Sequence, residues 1–296
     1  MSQPRTHGLI GVVGLGEMGF AMALALRDAG WQVIGYDPAP GARERAKDDV
    51  IVVDDIPGLI DAEYFLVSVP GAQHVRSVVA ELLAVGSQAV IVDATTSDPQ
   101  TSQELAALAM KAGWAFVDAP VSGGKTGARA GTLMAFVGGS SADVARAHPV
   151  LDSIAAGKWR HLGGPGAGNV GKLINNTLAA ANLMIAAEAL AIGAQWGIAP
   201  EDLVDALNGA SGRNAATEVN LPRWVLSDAY DSGFTLALMV RDVNLARQTF
   251  AEQGVTSYVT ELVAQRWNLA AEQLAGTDDF NRVVPVLMES AREGTS

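Results

Sequence analysis

The sequence contains no cysteine among its 296 residues. This absence excludes a disulfide framework, thiolate metal sites and cysteine nucleophiles. Only four histidines are present, and none of them stands at a spacing typical of metal ligands. Basic residues are also scarce, with 20 Lys and Arg against 32 Asp and Glu, and they form no cluster. The absence of cysteine and the histidine spacing lead us to expect no metal site. Because the net charge of −12 repels a phosphate backbone, we also expect no nucleic-acid partner.

The sequence also lacks a clear targeting or membrane segment. Residues 1–8 are short and polar before the first apolar run, so no secretory or transit signal is predicted. The longest apolar stretch, Leu178 to Ile192, is interrupted by Asn182 and Glu188 and is shorter than the roughly 20 residues of a membrane span. We therefore expect a cytoplasmic protein without a membrane partner.

Short apolar runs alternate with helical segments in the first half of the chain. Hydrophobic residues make up 49% of the sequence, which is enough for two domain cores of ordinary size. Strands are predicted at Leu9–Val13, Trp31–Tyr36, Val50–Val53, Tyr64–Val69, Ala89–Val92, Ala115–Val117, Leu133–Val137 and Trp159–Leu162. Helical segments separate most of them, including Phe20–Ala29 and Ser141–Ala155. This alternation predicts an α/β domain over residues 1–164 with a doubly wound, mostly parallel sheet.

The sequence changes character after Leu162. Residues 163–168 are rich in glycine, and the helix predicted after them, Asn169 to Trp196, would be roughly 40 Å long. Only helices are predicted downstream, at Pro200–Asn208, Ala216–Leu226, Leu236–Gln253, Tyr258–Leu274 and Phe280–Glu293. We therefore expect a domain boundary near residue 164, with an all-α C-terminal domain over residues 165–296 joined by a long interdomain helix.

The segment Gly14-Leu15-Gly16-Glu17-Met18-Gly19 joins the first strand to the first helix and matches the GxGxxG pattern. In that pattern Gly14 permits the tight turn, Gly16 lets the backbone approach a pyrophosphate, and Gly19 lets the helix pack closely. The helix N-terminus adds amides and a positive dipole end for the phosphates. The context predicts a Rossmann dinucleotide site, and the alternative is a Gly-rich turn that binds no ligand.

Asp37 follows the second strand, 23 positions after the first glycine of the pattern. A carboxylate there accepts hydrogen bonds from the ribose 2′-OH and repels a 2′-phosphate, so NAD is expected in preference to NADP. Arg43 and Arg45 follow a few residues later. They would either soften this preference or form a solvated helix face.

Lys172 is one of only five lysines and lies near the start of the long apolar helix. Asn169 and Asn176, at i−3 and i+4, share its helical face. Desolvation on an apolar helix would bring the pKa of this ammonium toward the range of a general acid/base. The alternative is a lysine whose stem lies along the helix end while its ammonium reaches water.

Four motifs in the sequence resemble the β-hydroxyacid dehydrogenases, in particular the group of 3-hydroxyisobutyrate dehydrogenase and tartronate semialdehyde reductase. The motifs are Gly14 to Gly19 with Ala21-Met22-Ala23, Asp118 to Gly124, Gly127 to Leu133 with Gly138-Gly139, and Gly168 to Asn176. They occur in the family's order over nearly the whole chain. The resemblance implies a Rossmann domain, a long interdomain helix, an all-α domain and an active site in the cleft between the domains.

The resemblance also implies roles for individual residues. Lys172 matches the family's catalytic lysine, and Asn176 matches its supporting asparagine. The segment that holds the substrate carboxylate and hydroxyl corresponds to Ser122, Gly123 and Gly124. Loops near the cofactor phosphates, ribose and nicotinamide correspond to Val67 through Val69 and Pro70, and to Thr95 and Thr96.

One position departs from the family pattern. Arg241 stands where the family has a lysine close to the nicotinamide and the substrate, and arginine lacks the compact shape of lysine. We expect Arg241 to contact both the cofactor and the substrate, and the identity of the hydroxy acid stays open. Arg213, in a segment that resembles a loop lining the cleft, would either aid an acidic substrate or lie at the surface.

The expected protein is an NAD-dependent oxidoreductase that moves a hydride between nicotinamide and a small 3-hydroxy acid or its semialdehyde. An imine reductase-like enzyme and a non-catalytic cofactor-binding scaffold on the same fold are the alternatives. A UDP-sugar dehydrogenase is excluded because it would need a catalytic cysteine. Apolar helical faces, including Trp224 and Trp267, predict a homodimer or homotetramer.

Overall fold

The computed structural model describes residues 7–85 and 88–293. Residues 1–6, which belong to the segment in which no targeting signal is predicted, lie outside this part of the chain. The chain forms two compact units, Met1–Lys172 and Leu173–Ser296. The first unit is built around a β-sheet, and the second unit consists of helices.

The strands of the first unit form one sheet, which in the described residues has nine members. They are β1 (Leu9–Val13), β2 (Gln32–Tyr36), β3 (Ile51–Val52), β4 (Tyr64–Val67), β5 (Val90–Asp93), β6 (Ala115–Asp118), β7 (Val121–Ser122), β8 (Met134–Gly138) and β9 (Trp159–Gly163). The order is β3-β2-β1-β4-β5-β6-β8-β7, with β9 paired to β8. Strands β1 to β6 are parallel, whereas β8 is antiparallel to β6 and β7. The expected doubly wound, mostly parallel sheet is confirmed.

Helices cover both faces of this sheet. They are α1 (Glu17–Asp28), α2 (Pro40–Ala46), α3 (Ala72–Val85), α4 (Pro99–Lys111), α5 (Gly124–Ala130) and α6 (Ser141–Ala155), and a short 3₁₀ helix spans Ile56–Leu59. One hydrophobic core includes Met22 of α1 and Leu151 of α6. The other core includes Leu82 of α3 and Leu105 of α4 on the opposite face. This pairing of layers buries both faces of a parallel sheet, as its apolar strands require.

The second unit packs its helices around one hydrophobic core. The long helix α7 (Ala167–Gln195) begins in the first unit and is followed by α8 (Pro200–Asn208), α9 (Leu236–Glu252), α10 (Tyr258–Ala271) and α11 (Val283–Glu293), with a 3₁₀ helix at Phe280–Arg282. Trp267 lies fully buried in this core among residues such as Leu183 and Val243. The expectation that Trp267 contributes to a subunit interface is therefore wrong, because the side chain serves the fold of its own unit.

Several elements differ from the sequence-based expectation. Helix α1 begins at Glu17, three residues before the predicted start. The short elements β7 and α5 were not predicted. The predicted helix at 216–226 is a π-helix, Ala216–Val225, in which the N–H of Leu226 reaches back five residues to the carbonyl of Leu221. Pro222 lies within it and has no N–H for an ordinary helical hydrogen bond.

By length and composition alone, α7 is apolar enough to cross a membrane, with a mean hydropathy of 1.6 over its most apolar window of 18 residues. Half of that window is buried inside the protein. A core helix of a soluble protein has the same properties, so this helix is weak support for a membrane segment.

Candidate active site

The turn between β1 and α1 is shaped by its glycines. Gly14 has a φ of 96°, and a Cβ atom there would lie 2.1 Å from the carbonyl oxygen of Ser68. A Cβ atom at Gly19 would lie 1.9 Å from the carbonyl oxygen of Gly14. At Gly16, in contrast, an added Cβ atom meets nothing within 4 Å. The first and third glycines thus serve close packing, while the second leaves open space at the N-terminus of α1, where a pyrophosphate fits.

The other residues of this turn have separate environments. The side chain of Leu15 is fully buried, and Met18 is half-buried. Glu17 is exposed and pairs with Lys125, and it lies 3.6 Å from Arg45. The hydrogen bond from Lys125 holds the pKa of Glu17 below its usual value. These cations offset a negative charge that would otherwise repel the phosphates of a cofactor.

Asp37 is held against the same turn by two backbone groups. Its Oδ2 atom accepts the N–H of Leu15 at 2.8 Å, and its Oδ1 atom accepts the N–H of Ala39 at 2.8 Å. Each carboxylate oxygen keeps further acceptor capacity for a ribose hydroxyl. Arg43 donates to the carbonyl of Asp37 at 2.7 Å, and Arg45 donates to the carbonyl of Leu15 at 2.7 Å. The two arginines therefore flank this position instead of forming a purely solvated face.

The loops after β4 and β5 lie beside the Gly-rich turn and are joined to each other. The N–H of Val69 donates to the hydroxyl of Thr95 at 3.2 Å, and Ser68 packs against Gly14 as described above. Thr95 is buried, Thr96 is half-buried and Pro70 is exposed. The structure thus brings the cofactor residues predicted in these loops to the carboxyl ends of neighbouring strands, the usual place of a ligand in such a sheet.

Two buried carboxylates, Asp93 and Asp118, end the adjacent strands β5 and β6 and are register partners. Burial raises the pKa of Asp93 to about 7, although its Oδ1 atom accepts the N–H of Thr95 at 3.0 Å. Its Oδ2 atom is buried and has no hydrogen-bond partner among the described residues. Burial likewise raises the pKa of Asp118 above its usual value.

Asp118 caps the N-terminus of α7. Its Oδ1 atom accepts the N–H of Gly166 at 2.8 Å, and its Oδ2 atom accepts the N–H of Asn169 at 3.0 Å. A carboxylate at this end satisfies backbone donors that have no partner within the helix and interacts favourably with the helix dipole. The first turn of α7 is thereby fixed to the end of β6.

Asn169 ties the same turn to the loop after β5. Its Oδ1 atom accepts the N–H of Ser97 at 2.8 Å, and its Nδ2 atom donates to the hydroxyl of Ser102 at 3.0 Å. This fully buried amide therefore holds a loop, a role that its shared face with Lys172 did not indicate. Lys172 follows one turn later and is buried, with 6% of its surface exposed. The catalytic candidate thus lies on a helix end held by two buried polar side chains.

The predicted substrate segment forms the junction of β7 and α5. Ser122 pairs with Met134 of β8 and is half-buried, while Gly123 and Gly124 are exposed. Gly123 has a φ of 129°, a conformation that favours glycine. The segment therefore presents a hydroxyl and accessible backbone amides, which suits an anion.

In the second unit, Asn176 belongs to a buried polar cluster. Its Nδ2 atom donates to Oδ2 of Asp242 at 2.6 Å, and its Oδ1 atom accepts from Nδ2 of Asn175 at 3.1 Å. Arg241 is partly exposed and donates from Nε and Nη2 to Oδ1 of Asp242, at 2.9 and 2.7 Å. The guanidinium thus contacts the neighbouring carboxylate, which the sequence analysis had not assigned a role.

Arg213 lies at the surface, 3.6 Å from Glu218. Across residues 7–85 and 88–293, no group of three or more His, Asp and Glu side chains is arranged to hold a metal ion.

Two family models together match most of the chain. Residues 9–164 match the family model described as the NAD binding domain of 6-phosphogluconate dehydrogenase. Residues 166–287 match the model described as NAD-binding of NADP-dependent 3-hydroxyisobutyrate dehydrogenase. A 2-(hydroxymethyl)glutarate dehydrogenase from Eubacterium barkeri is 32% identical over 290 residues, which cover 94% of each chain. A probable 3-hydroxyisobutyrate dehydrogenase from Mycobacterium tuberculosis is 34% identical over 95% of this chain and 98% of its own.

The solved structures agree with these relatives. The structure of Mycobacterium tuberculosis 3-hydroxyisobutyrate dehydrogenase with L-serine aligns with a TM-score of 0.87 and 33% identity, over 94% of this chain and 98% of the other. This chain belongs to the β-hydroxyacid dehydrogenase family. As a β-hydroxyacid dehydrogenase, it is an NAD(P)-dependent oxidoreductase that acts on the CH–OH group of a hydroxy acid. The expected family and reaction are confirmed. An imine reductase from Streptomyces aurantiacus, at 18% identity and a TM-score of 0.64, shares the fold alone.

Three residues of this β-hydroxyacid dehydrogenase were missed as functional candidates. Asp118 and Asn169 stand inside the motifs that carry the resemblance, but neither was assigned a role. Asp242 lies on the stripe of α9 that also contains buried Met239 and Val243. A charged residue on an apolar helix stripe is the signal that would have identified it.

Proposed function

We propose that this β-hydroxyacid dehydrogenase moves a hydride between NAD and a small 3-hydroxy acid of the 3-hydroxyisobutyrate type, or its semialdehyde, with Lys172 as the acid/base. The burial of Lys172 on the anchored end of α7 is the observation that carries this proposal. Burial removes most of the water that would compete with a substrate hydroxyl for the amine. The names of the relatives support a small acid with a hydroxymethyl-type group.

The nicotinamide ring supplies the hydride chemistry when the cofactor is bound. In the oxidative direction Lys172 accepts the hydroxyl proton of the substrate, and in the reductive direction it returns that proton to the carbonyl oxygen. Asn176, one turn further along α7, orients the Lys172 amine and contacts the substrate. Ser122, Gly123 and Gly124 hold the substrate carboxylate through the Ser122 hydroxyl and backbone amides.

The Gly-rich turn and Asp37 favour NAD over NADP. Open space at Gly16 accepts the pyrophosphate, and the backbone N–H groups of Glu17 and Met18 lie at the start of α1. Leu15, whose N–H binds Asp37, lies next to Gly16 in the same turn. Asp37 keeps acceptor capacity for the ribose hydroxyls and repels a 2′-phosphate. Val69, Pro70 and Thr95 contact the remainder of the cofactor. Arg241 contacts both the nicotinamide and the substrate.

The domain boundary, assembly and location are also part of the proposal. A boundary near residue 164 is supported by the two family matches, which meet there. A homodimer or homotetramer is supported by an exposed apolar stripe on α7, where Ile174, Leu178, Ile185 and Ile192 follow at intervals of one or two turns. The location we propose is the cytoplasm, with a small-molecule substrate and no nucleic-acid or membrane partner.

A screen of both cofactors against a panel of acids tests this function. Purified protein is assayed for oxidation with NAD and NADP over 3-hydroxyisobutyrate, 2-(hydroxymethyl)glutarate, L-serine and threonate, and for reduction with NADH and NADPH over succinic semialdehyde. The proposal predicts turnover of at least one small 3-hydroxy acid and a higher kcat/KM with NAD, and it predicts that Asp37→Ser narrows this difference. A higher kcat/KM with NADP in the unmodified protein would contradict the role of Asp37. Turnover of cyclic imines without any hydroxy acid would contradict the substrate class.

A further inference from the structure

Charged side chains join the predicted substrate segment to the Gly-rich turn within the first unit. Lys125, which directly follows Ser122–Gly124, forms an ion pair with Glu17, the first residue of α1. On the other side of Glu17, Arg45 lies at 3.6 Å and donates to the carbonyl of Leu15 at 2.7 Å. Lys125 therefore reaches the end of α1 at which the proposed function places the cofactor pyrophosphate.

The charges of Glu17, Arg45 and Lys125 do not balance. Arg45 and Glu17 cancel one another, so Lys125 leaves an excess positive charge beside the N-terminus of α1. The helix dipole adds only about half an elementary charge there. Both phosphates of a dinucleotide are ionised, and an ammonium on a flexible stem donates readily to phosphate oxygens. The excess cation therefore lies where the cofactor brings more negative charge than the helix end neutralises.

Lys125 is able to leave Glu17 without displacing its helix. The two side chains are 65% and 61% exposed, and an ion pair with such exposure contributes little to stability. A second ion pair connects α5 to α1, because Arg129 lies 2.6 Å from Asp28. Ala128 is fully buried and adds an apolar contact between α5 and the core of this unit. The ammonium can therefore exchange a carboxylate for a phosphate while α5 stays in place.

We propose that Lys125 binds the pyrophosphate of the dinucleotide, and that Glu17 holds the lysine beside this site until the cofactor replaces the carboxylate. This inference rests on the proposed function, which places the pyrophosphate at Gly16. It adds a side-chain contact from α5 to the backbone contacts of the Gly-rich turn. The pyrophosphate is common to NAD and NADP, so the inference does not depend on the role of Asp37.

The test compares the Kd for NADH with the Kd for ADP-ribose, which retains the pyrophosphate but lacks the nicotinamide. Isothermal titration calorimetry at low salt gives both values under conditions in which exposed charges act most strongly. Lys125→Met removes the ammonium and keeps an unbranched stem. We expect both Kd values to rise about fivefold, the scale of one exposed charge contact. Lys47→Met is the matched control and should change them less than about twofold, because exposed Lys47 pairs with Glu44 and has no place in the proposed site.

A double-mutant cycle separates phosphate binding from simple neutralisation of Glu17. Glu17→Gln removes the competing carboxylate, and we expect both Kd values to fall about twofold or more. In the Glu17→Gln background, Lys125→Met should still raise both Kd values, because the contact that it removes is with the cofactor. A lysine that only neutralised Glu17 would have no effect in this background, and that result would overturn the inference.

The pattern across the two ligands and the control variant identifies which proposal fails. Weaker binding of NADH with unchanged binding of ADP-ribose would overturn the inference, because the lysine would then act on the nicotinamide side. Equal effects of Lys125→Met and Lys47→Met would also overturn it, since a long-range effect of charge would explain both. Failure of the unmodified protein to bind NADH and ADP-ribose would instead overturn the proposed function, so the two failures are distinguishable.

Discussion

The carboxylate of Asp118 accepts the backbone N–H of Asn169 at 3.0 Å, at the start of the helix that carries Lys172. This contact, together with the one from Gly166, fixes the first turn of α7 to the end of β6. The position of Lys172 therefore depends on a buried helix cap. The contribution of this cap can be measured as a change in the free energy of unfolding.

Asp118→Ala should lower the free energy of unfolding by about 2 kcal/mol, because two buried N–H groups lose their acceptor and water cannot replace it. Urea denaturation measures the change. Ser140→Ala is the matched control, since Ser140 caps α6 at an exposed site by accepting the N–H of Asp143 at 3.1 Å. That loss should be about 1 kcal/mol or less. Equal losses of unfolding free energy in the two variants would show that the buried cap stabilises the protein no more than the exposed one.

Asp93 should make stability depend on pH. Burial raises its folded-state pKa to about 7 from an ordinary value of 3.8. Between these values the folded state binds the proton and the unfolded state does not, so the free energy of unfolding falls as pH rises and levels off above the folded-state pKa. The fall is at most about 4 kcal/mol. Asp93→Asn keeps an acceptor for Thr95 and should lack this fall.

Unfolding measured from about pH 5 to about pH 8 in both proteins isolates the effect, since the two proteins differ only at position 93. Across this range the free energy of unfolding of the unmodified protein should fall relative to that of Asp93→Asn. Parallel curves would mean that Asp93 is ionised in the folded protein throughout.

Gly16→Ala should weaken cofactor binding without weakening the fold. Gly16 has a φ of −62°, which alanine adopts readily, and an added Cβ atom meets no protein atom within 4 Å. A methyl group there occupies the space assigned to the pyrophosphate, so the Kd for NADH should rise by about tenfold or more while Tm is nearly unchanged. Gly164→Ala, also in open space, is the control and should bind NADH normally. Unaltered binding by Gly16→Ala would place the pyrophosphate elsewhere.

Much of the fold could be predicted from the sequence, because apolar periodicity and turn residues determine long elements. The helices Ser141–Ala155 and Pro200–Asn208 have the predicted bounds. Strand β7 was missed because two residues carry no periodicity, and α5 was missed because its glycines are typical of a turn. Trp267 was misjudged because the sequence does not distinguish an apolar side chain in a core from one at an interface.

The candidate site was predictable where a local pattern carries the chemistry, as in the Gly-rich turn and Asp37. Partners distant in sequence were not predictable, because their contacts arise only in the folded chain. Asp118 and Asn169 are 51 positions apart, and Asn176 and Asp242 are 66 positions apart. The raised pKa of Asp93 was equally hidden, because it depends on burial and not on residue type.

The kinetics of Lys172→Ala test the central claim most directly. Initial rates of NADH formation with the preferred hydroxy acid give kcat, and fluorescence titration gives the Kd for NADH. Loss of the acid/base should lower kcat by at least ~10²-fold and leave the Kd for NADH nearly unchanged. Turnover close to that of the unmodified protein would contradict the assignment of Lys172 as the group that takes the proton.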